Sequence, residues 1–113
     1  MTHLATEKTR RVRVLNDNFR STFIGGTVVL TQGVNELPLD VKAQALLLVQ
    51  AFENFTRDND PYGEHDFGHF EISGDTLYWK IDYYDPDCQH GSEDPSDPDQ
   101  TRRVLTIMLA AEY

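Results

Sequence analysis

The run DNDPYGEHDFGH at residues 58–69 contains the side chains that could most readily do chemistry. Four of them supply carboxylate oxygen or imidazole nitrogen within six residues: Glu64, His65, Asp66 and His69. Such a group could hold a transition metal or support general acid–base chemistry. A structural role competes with catalysis, because His65 and Asp66 could hold the loop through hydrogen bonds to its backbone.

The start of the same run resembles a calcium-binding loop. Asp58, Asp60 and Gly63 fall at positions 1, 3 and 6 of the twelve-residue EF-hand register. Position 5 is Tyr62, however, and His69 stands where the bidentate glutamate belongs. Turn-forming residues therefore explain much of this stretch without a metal.

Other chemical signatures are absent from the sequence. There is no glycine-rich phosphate loop and no serine-nucleophile motif, and the one cysteine, Cys88, has no second cysteine to pair with. Gly68 and the strand-like residues after it argue against the helix on which a His-x-x-x-His pair binds metal. We therefore predict no catalytic residue, no bound metal and no cofactor. The alternative is a small metal-binding protein or hydrolase that uses the 64–69 loop and the outer face of the hairpin described below, with His65, Asp66 and His69 as the metal ligands.

Charge is distributed unevenly along the chain. The net charge is -9, but residues 58–99 contain thirteen acidic side chains and one basic one, Lys80. The remainder contains six acids and nine bases, several of them in EKTRRVR near the N-terminus. A concentrated negative field favours a protein partner with a basic surface and repels nucleic acid. Solubility alone would also explain it.

Length and composition indicate one globular domain spanning residues 1–113. A chain of 113 residues with 39% hydrophobic residues can bury a core without disulfides. No stretch approaches the roughly 20 apolar residues of a membrane span, and the N-terminus lacks the apolar core of a secretory signal. We expect a cytoplasmic protein with no membrane contact.

Three elements are predicted in the first half of the chain. Val12, Leu15 and Phe19 form the apolar stripe of a helix, and GGTVVLT at residues 25–31 is typical of a strand. Residues 38–56 show apolar side chains at a helical 4-3-4-3 spacing with Pro38 near the start, which predicts a second helix.

The second half predicts a β-hairpin. The segments HFEIS and TLYWKIDYY, on either side of Gly74-Asp75, alternate between apolar and polar residues. Alternation places His69, Glu71, Lys80 and Asp82 on the outer face, and Trp79 on the inner face opposite Phe70. The side chains expected to face the core are Phe70, Ile72, Leu77, Trp79, Ile81 and Tyr83.

A third helix is predicted at the end of the chain. Asp97, Pro98 and Gln100 match an N-cap, a first-turn proline and a capping-box partner, and TRRVLTIMLAAEY follows. The predicted order is α-β-α-β-β-α. This order indicates an α+β fold, with a small antiparallel sheet of about three strands and helices packed on one face.

Several segments together resemble a known family. In this order and spacing, LNDNFR, DNDPYGEHDFG, WKIDYYD, GSEDPSDP and TRRVLTIMLAAEY are similar to small bacterial proteins known only as a domain of unknown function. That family occurs mainly in alphaproteobacteria and their plasmids, and the resemblance spans roughly residues 12–113. It implies one compact domain in a bacterial cytoplasm and no particular activity. The matching residues are Gly63, Glu64, His65, Asp66, Phe67 and Gly68, then Lys80, Asp82, Tyr83, Tyr84 and Asp85, then Gly91, Ser92, Glu93 and Asp94.

The predicted function is that of a small acidic, non-catalytic binding protein. Three features favour an inhibitor from a mobile element: the charge asymmetry, the small size and the occurrence of the similar family on plasmids. Such an inhibitor, of the anti-CRISPR or anti-restriction type, mimics nucleic acid and blocks a defence or regulatory protein. A scaffold or partner-binding role without mimicry is a third alternative. The residues predicted to contact the partner are Glu64, Asp66, Asp82, Asp85, Asp87, Glu93, Asp94, Asp97 and Asp99.

Overall fold

A computed structural model describes residues 3–113, with side chains from Thr6 onward. Three α-helices pack with one four-stranded sheet, which confirms the α+β class. The sheet order is β1-β4-β3-β2, with β1 parallel to β4 and the other pairs antiparallel. The elements are α1 (His3–Thr22), β1 (Thr27–Leu30), α2 (Gln32–Asn35), α3 (Leu39–Gln50), β2 (Phe67–Ile72), β3 (Asp75–Tyr84) and β4 (Arg102–Leu109).

The core lies between the inner face of the sheet and the helices. Val12 and Phe19 from the predicted stripe of α1 are buried, as are Ala45 and Val49 of α3. The sheet contributes the largest core side chain, Trp79, which is fully buried. The first helix, the first strand and the start of the second long helix are thus confirmed.

The second long helix ends six residues earlier than predicted, at Gln50 instead of residue 56. Two hydrogen bonds with residues outside this helix take the place of helical hydrogen bonds after Gln50. The carbonyl of Phe52 accepts from Arg20 Nη2 at 3.1 Å, and the amide of Thr56 donates to Asn59 Oδ1 at 2.9 Å. The apolar spacing continues past the helix because Phe52 and Phe55 still face the core, where both rings pack edge-on against Trp79.

The hairpin is confirmed, with the turn one residue earlier than predicted. Ile72 pairs with Asp75, and the two turn residues Ser73 and Gly74 both have positive φ, as a type I′ turn requires. The predicted inner face is correct. The residue opposite Trp79 is Gly68, however, and Phe70 instead faces Leu77.

The predicted C-terminal helix is wrong, because that segment forms β4 at the centre of the sheet. Leu105 and Ile107 are fully buried on the inner face, and Met108 on the opposite face is 4% exposed. A strand buried on both faces is apolar all round, as a buried helix is, so the pattern does not distinguish them. The capping signal does act locally, since Asp97 accepts a hydrogen bond from the amide of Asp99 and initiates a 3₁₀ turn at Pro98–Gln100.

The predicted count of about three antiparallel strands is therefore one short, and the sheet is mixed. Conversion of the last element from helix to strand supplies β1 with its parallel partner, Thr27 pairing with Val104. Within residues 3–113, no helix is both long and apolar enough to cross a membrane.

Candidate functional site

The loop between α3 and β2 folds around its own side chains. Asn59 caps the turn by accepting from the amide of Thr56 and donating to the carbonyl of Asn54. Asp60 then accepts from the amide of His65 at 3.0 Å. Gly63 and His65 both adopt positive φ, at 70° and 56°. The loop thus reaches β2 as a compact turn and not as a calcium-binding loop followed by a helix.

His65 lies between two carboxylates that come from different parts of the chain. Its Nδ1 is 2.9 Å from Asp17 Oδ1 on α1, and its Nε2 is 3.5 Å from Asp60 Oδ2 in the loop. The imidazole stacks on Phe55, with the ring centroids 3.8 Å apart and the planes nearly parallel. A general base needs a ring nitrogen that can face a substrate, yet both nitrogens of His65 face carboxylates. The geometry therefore favours a clamp between α1 and the loop.

Arg20 supports the same clamp from the other side of Asp17. Its Nη1 is 3.1 Å from Asp17 Oδ1, and its guanidinium lies over the rings of Phe55 and Trp79, 5.2 Å from each. The residue is 5% exposed, and within the described part of the chain its Nε has no hydrogen-bond partner. A hollow of about 350 Å³ opens beside this group, between α1 and the end of α3.

A second polar network lies deeper and centres on Asn16, which is fully buried. The Asn16 amide nitrogen donates to the Glu64 carbonyl at 2.9 Å and to the Tyr83 hydroxyl at 2.8 Å, and its oxygen accepts from Arg103 Nε at 2.7 Å. Tyr83 in turn donates to Asp66 Oδ2 at 2.9 Å. One amide side chain thereby connects α1, the loop, β3 and β4.

Burial changes the acidity of the groups in this network. Burial raises the pKa of Asp66 above its usual value, although the hydrogen bond from Tyr83 opposes the shift. The pKa of Glu64 is also raised, by burial and then by the nearby charges of Asp66 and Asp60. Burial, followed by the Asp66 charge, raises the pKa of Tyr83, and burial lowers that of Arg103. Each shift disfavours the charged form of a group held inside the protein.

The three alternative metal ligands point in different directions. His65 contacts Asp17, and Asp66 accepts from Tyr83. His69 is exposed on the outer face of β2, where its ring contacts Tyr78. Within the described part of the chain, no group of three or more His, Cys, Asp or Glu side chains is placed to hold a metal ion.

The outer face of the sheet carries the hairpin residues predicted there. Lys80 Nζ is 2.9 Å from Asp82 Oδ2, and this hydrogen bond raises the pKa of Lys80. Phe67 and Tyr78 stack on the same face, and Tyr113 packs against both rings. The negative charge of Asp82 is thus paired with the positive charge of Lys80.

The acidic segment, residues 85–99, is fixed by some of its own carboxylates. Asp85 accepts from the amides of Gln89 and His90, which lowers its pKa. Asp94 binds the amide and hydroxyl of Ser96, and Asp97 caps the 3₁₀ turn. The segment therefore has a defined shape although it contains no helix or strand of four residues or more.

Three other carboxylates of the acidic segment are exposed and take no part in holding it: Asp87, Glu93 and Asp99. Among the residues from Thr6 onward, their side chains form no hydrogen bond and no ion pair within 4 Å. Glu64 and Asp66, by contrast, are half-buried beneath α1. The structure therefore separates the predicted contact residues of the acidic segment from Glu64 and Asp66 inside the loop and from Asp82 on the outer face of the sheet.

Four residues of the site have no counterpart in the predicted set: Asn16, Asp17, Arg20 and Arg103. A signal for two of them is present, because Asn16 and Arg20 continue the helical spacing of Val12 and Phe19 and so fall on the buried face of α1. Arg103 carried no such signal, since its segment was predicted to be a helix.

One comparison with known proteins gives a result. A family model described as a protein of unknown function, DUF3768, matches residues 30–112. The match covers α2, α3, β2, β3, β4 and both loops described above, and it begins at the last residue of β1. No curated protein and no solved structure matches the chain.

Proposed function

We propose that this chain, which belongs to the DUF3768 family of proteins of unknown function, is a non-catalytic binding protein whose acidic segment contacts a basic surface on a protein partner. The observation that carries the proposal is the exposure of Asp87, Glu93 and Asp99 without a partner among the residues described. Carboxylates of this kind are available to pair with Lys and Arg side chains of another molecule.

The shape of the acidic segment supports this role. Asp85, Asp94 and Asp97 hold the backbone, so the exposed carboxylates are presented on a loop that is already ordered. A partner would not have to order this loop on binding, which reduces the entropic cost of association.

The overall charge supports a basic partner and argues against direct nucleic-acid binding. Residues 58–99 carry thirteen acids against one base, and phosphates would meet like charge there. We therefore propose that the partner is itself a nucleic-acid-binding protein and that the acidic segment occupies its groove. In this proposal the chain acts as an inhibitor from a mobile element.

The catalytic alternative receives less support from the loop geometry. His65 faces a carboxylate at each ring nitrogen, and Asp66 accepts from Tyr83. These side chains bind one another and the backbone, so they act as internal connections between α1, the loop and β3.

The test begins with the wild-type protein as bait in a lysate of a host bacterium and continues with the purified partner. Asp87→Asn with Glu93→Gln removes two exposed charges of the acidic segment. Asp40→Asn with Glu53→Gln is the matched control, because it makes the same changes at exposed positions elsewhere. We expect the first pair to weaken partner affinity by roughly tenfold or more and the control pair to leave it nearly unchanged.

Two further measurements bear on mimicry. Partner affinity should fall as salt rises, because exposed charges are screened over about 8 Å at physiological ionic strength. Double-stranded DNA should compete with the protein for its partner. An affinity that is the same at low and high salt, or that DNA does not affect, would contradict nucleic-acid mimicry.

A further inference from the structure

A groove runs between α1 and the 3₁₀ turn at Pro98–Gln100, away from the His65 clamp. Its volume is about 500 Å³, and it is lined by Arg10, Arg11, Val14, Leu15, Ser96 and Pro98. A smaller hollow of about 150 Å³ shares Leu15 and Pro98 with it and extends to Ile24. The two depressions therefore adjoin at Leu15 and Pro98.

The groove and the smaller hollow each include an exposed apolar side chain. Val14 is 50% exposed although it lies on a helix that packs against the core, and Ile24 beyond the end of α1 is 78% exposed. Val14, Leu15 and Pro98 line the groove together, and an exposed apolar patch rimmed by polar residues marks a site of association.

Charges of opposite sign flank the groove. Arg10 and Arg11 of α1 line one side. Asp97 and Asp99 adjoin Ser96 and Pro98 in the sequence, and those two residues line the other side. The two sides are close enough to interact within one chain. Hydrogen bonds from Ser96 lower the pKa of Asp94, and the charges of Lys8 and Arg11 lower it further.

This arrangement restricts what can bind. A ligand that is acidic throughout would meet Asp97 and Asp99, and one that is basic throughout would meet Arg10 and Arg11. A suitable partner presents an apolar ridge with an acidic group on the side that faces Arg10 and Arg11. Its basic group lies on the side that faces Asp97 and Asp99. A second copy of the chain, turned through 180° about an axis in the groove, presents that pattern.

We propose that the α1 groove is a self-association surface, on which two copies pair with Val14 at the centre and with the basic helix of each against Asp97 and Asp99 of the other. Such an interface is isologous, because the same patch is used by both copies. The proposed self-association surface shares Asp99 with the proposed partner-binding surface but not Asp87 or Glu93, which do not line the groove.

Charge reversal on each side gives a direct test by sedimentation equilibrium over a concentration series. One variant carries Arg10→Glu and Arg11→Glu. The other carries Asp97→Asn and Asp99→Lys, in which the asparagine retains a capping oxygen for the 3₁₀ turn. Arg57→Glu with Arg102→Glu is the matched control, because both residues are exposed and neither lines the groove. Circular dichroism confirms that each variant is folded.

We expect the wild type and the control to dimerise with a dissociation constant that rises with salt. Each groove variant alone should dimerise at least tenfold more weakly, and an equimolar mixture of the two should recover association as a heterodimer. Val14→Ser should weaken dimerisation without altering the charge of the groove. The proposal is overturned if the wild type is monomeric at every concentration tested, if the groove variants associate as the wild type does, or if their mixture stays monomeric.

Discussion

The indole of Trp79 occupies the space that a side chain at position 68 would need. Gly68 faces Trp79 across the hairpin, and a Cβ at residue 68 would lie 2.6 Å from Trp79 Nε1 and 2.7 Å from Phe52 Cζ. Both contacts involve rings fixed in the core. The second glycine of the GEHDFG run is therefore explained by packing, without reference to a ligand.

Gly68→Ala should destabilise the protein by about 1–3 kcal/mol, because the new methyl group forces the rings of Trp79 and Phe52 out of place. Urea unfolding followed by Trp79 fluorescence measures the change. Gly91→Ala is the control, since a Cβ there would come no closer than 3.8 Å to its nearest neighbour, and its cost should stay within about 0.5 kcal/mol. Equal stabilities for the two variants would show that the rings do not constrain residue 68.

Asn16→Ala should cost at least about 2 kcal/mol, because it leaves the buried Nε of Arg103 without an acceptor. The same substitution also removes the amide donor to Tyr83. Asn18→Ala, two residues along the same helix at an exposed position, serves as the control and should change the free energy of unfolding little. A small effect at residue 16 would mean that the network does not hold α1.

Asp66 should make the protein less stable as the pH rises through its raised pKa. The folded state retains a proton at Asp66 that the unfolded state releases near pH 3.8, so the resulting stabilisation is complete below the unfolded pKa and is lost above the folded one. In Asp66→Asn this titration is absent, while an oxygen remains for the Tyr83 hydroxyl.

We therefore compare the free energies of unfolding of the two proteins, as the value for Asp66→Asn minus that for the wild type. This difference should increase as the pH rises above about 3.8 and level off above the raised pKa of Asp66. Asp85 and Asp94, whose pKa values are lowered, give the opposite slope in both proteins and cancel in this difference. Urea unfolding at a series of pH values provides the measurement. A difference that decreases with pH would contradict the assignment of Asp66 as a destabilised carboxylate.

Added zinc, manganese or calcium should leave the melting temperature unchanged, and so should a chelator. An ion held by the folded state would raise the melting temperature by mass action, but His65, Asp66 and His69 have separate partners and do not converge. Differential scanning calorimetry and isothermal titration calorimetry check this. One tightly bound ion per chain, lost in His65→Ala, would revive the metal-site alternative.

The elements predicted correctly are those whose pattern is set by near neighbours. The hairpin alternates because Trp79 and Ile81 face the core and Lys80 faces out, and this periodicity is visible in the sequence itself. The end of α3 was not visible, because it depends on Arg20 reaching the Phe52 carbonyl from another helix.

The same distinction explains the candidate site. The loop residues attracted attention through their chemical type, but their role depends on Asn16, Asp17 and Arg103, which are distant in sequence. Arg103 belongs to β4, whose apolar residues on both faces are equally typical of a buried helix. The residue types in the sequence thus indicate where the loop lies, whereas the partners of its side chains follow only from the fold.

The central position of β4 has a consequence for folding. β1 has no pairing partner within the sheet until residues 102–109 join it, since Thr27 pairs with Val104. During synthesis β1 emerges long before β4, the strand that connects it to the β2–β3 hairpin. The apolar inner faces of β1 and of the hairpin therefore remain in separate parts of the nascent chain. Pairings this distant in sequence are slow to form, and the unpaired strands are open to aggregation in the interval. We therefore expect the ribosome-bound chain to depend on chaperones until β4 has left the exit tunnel.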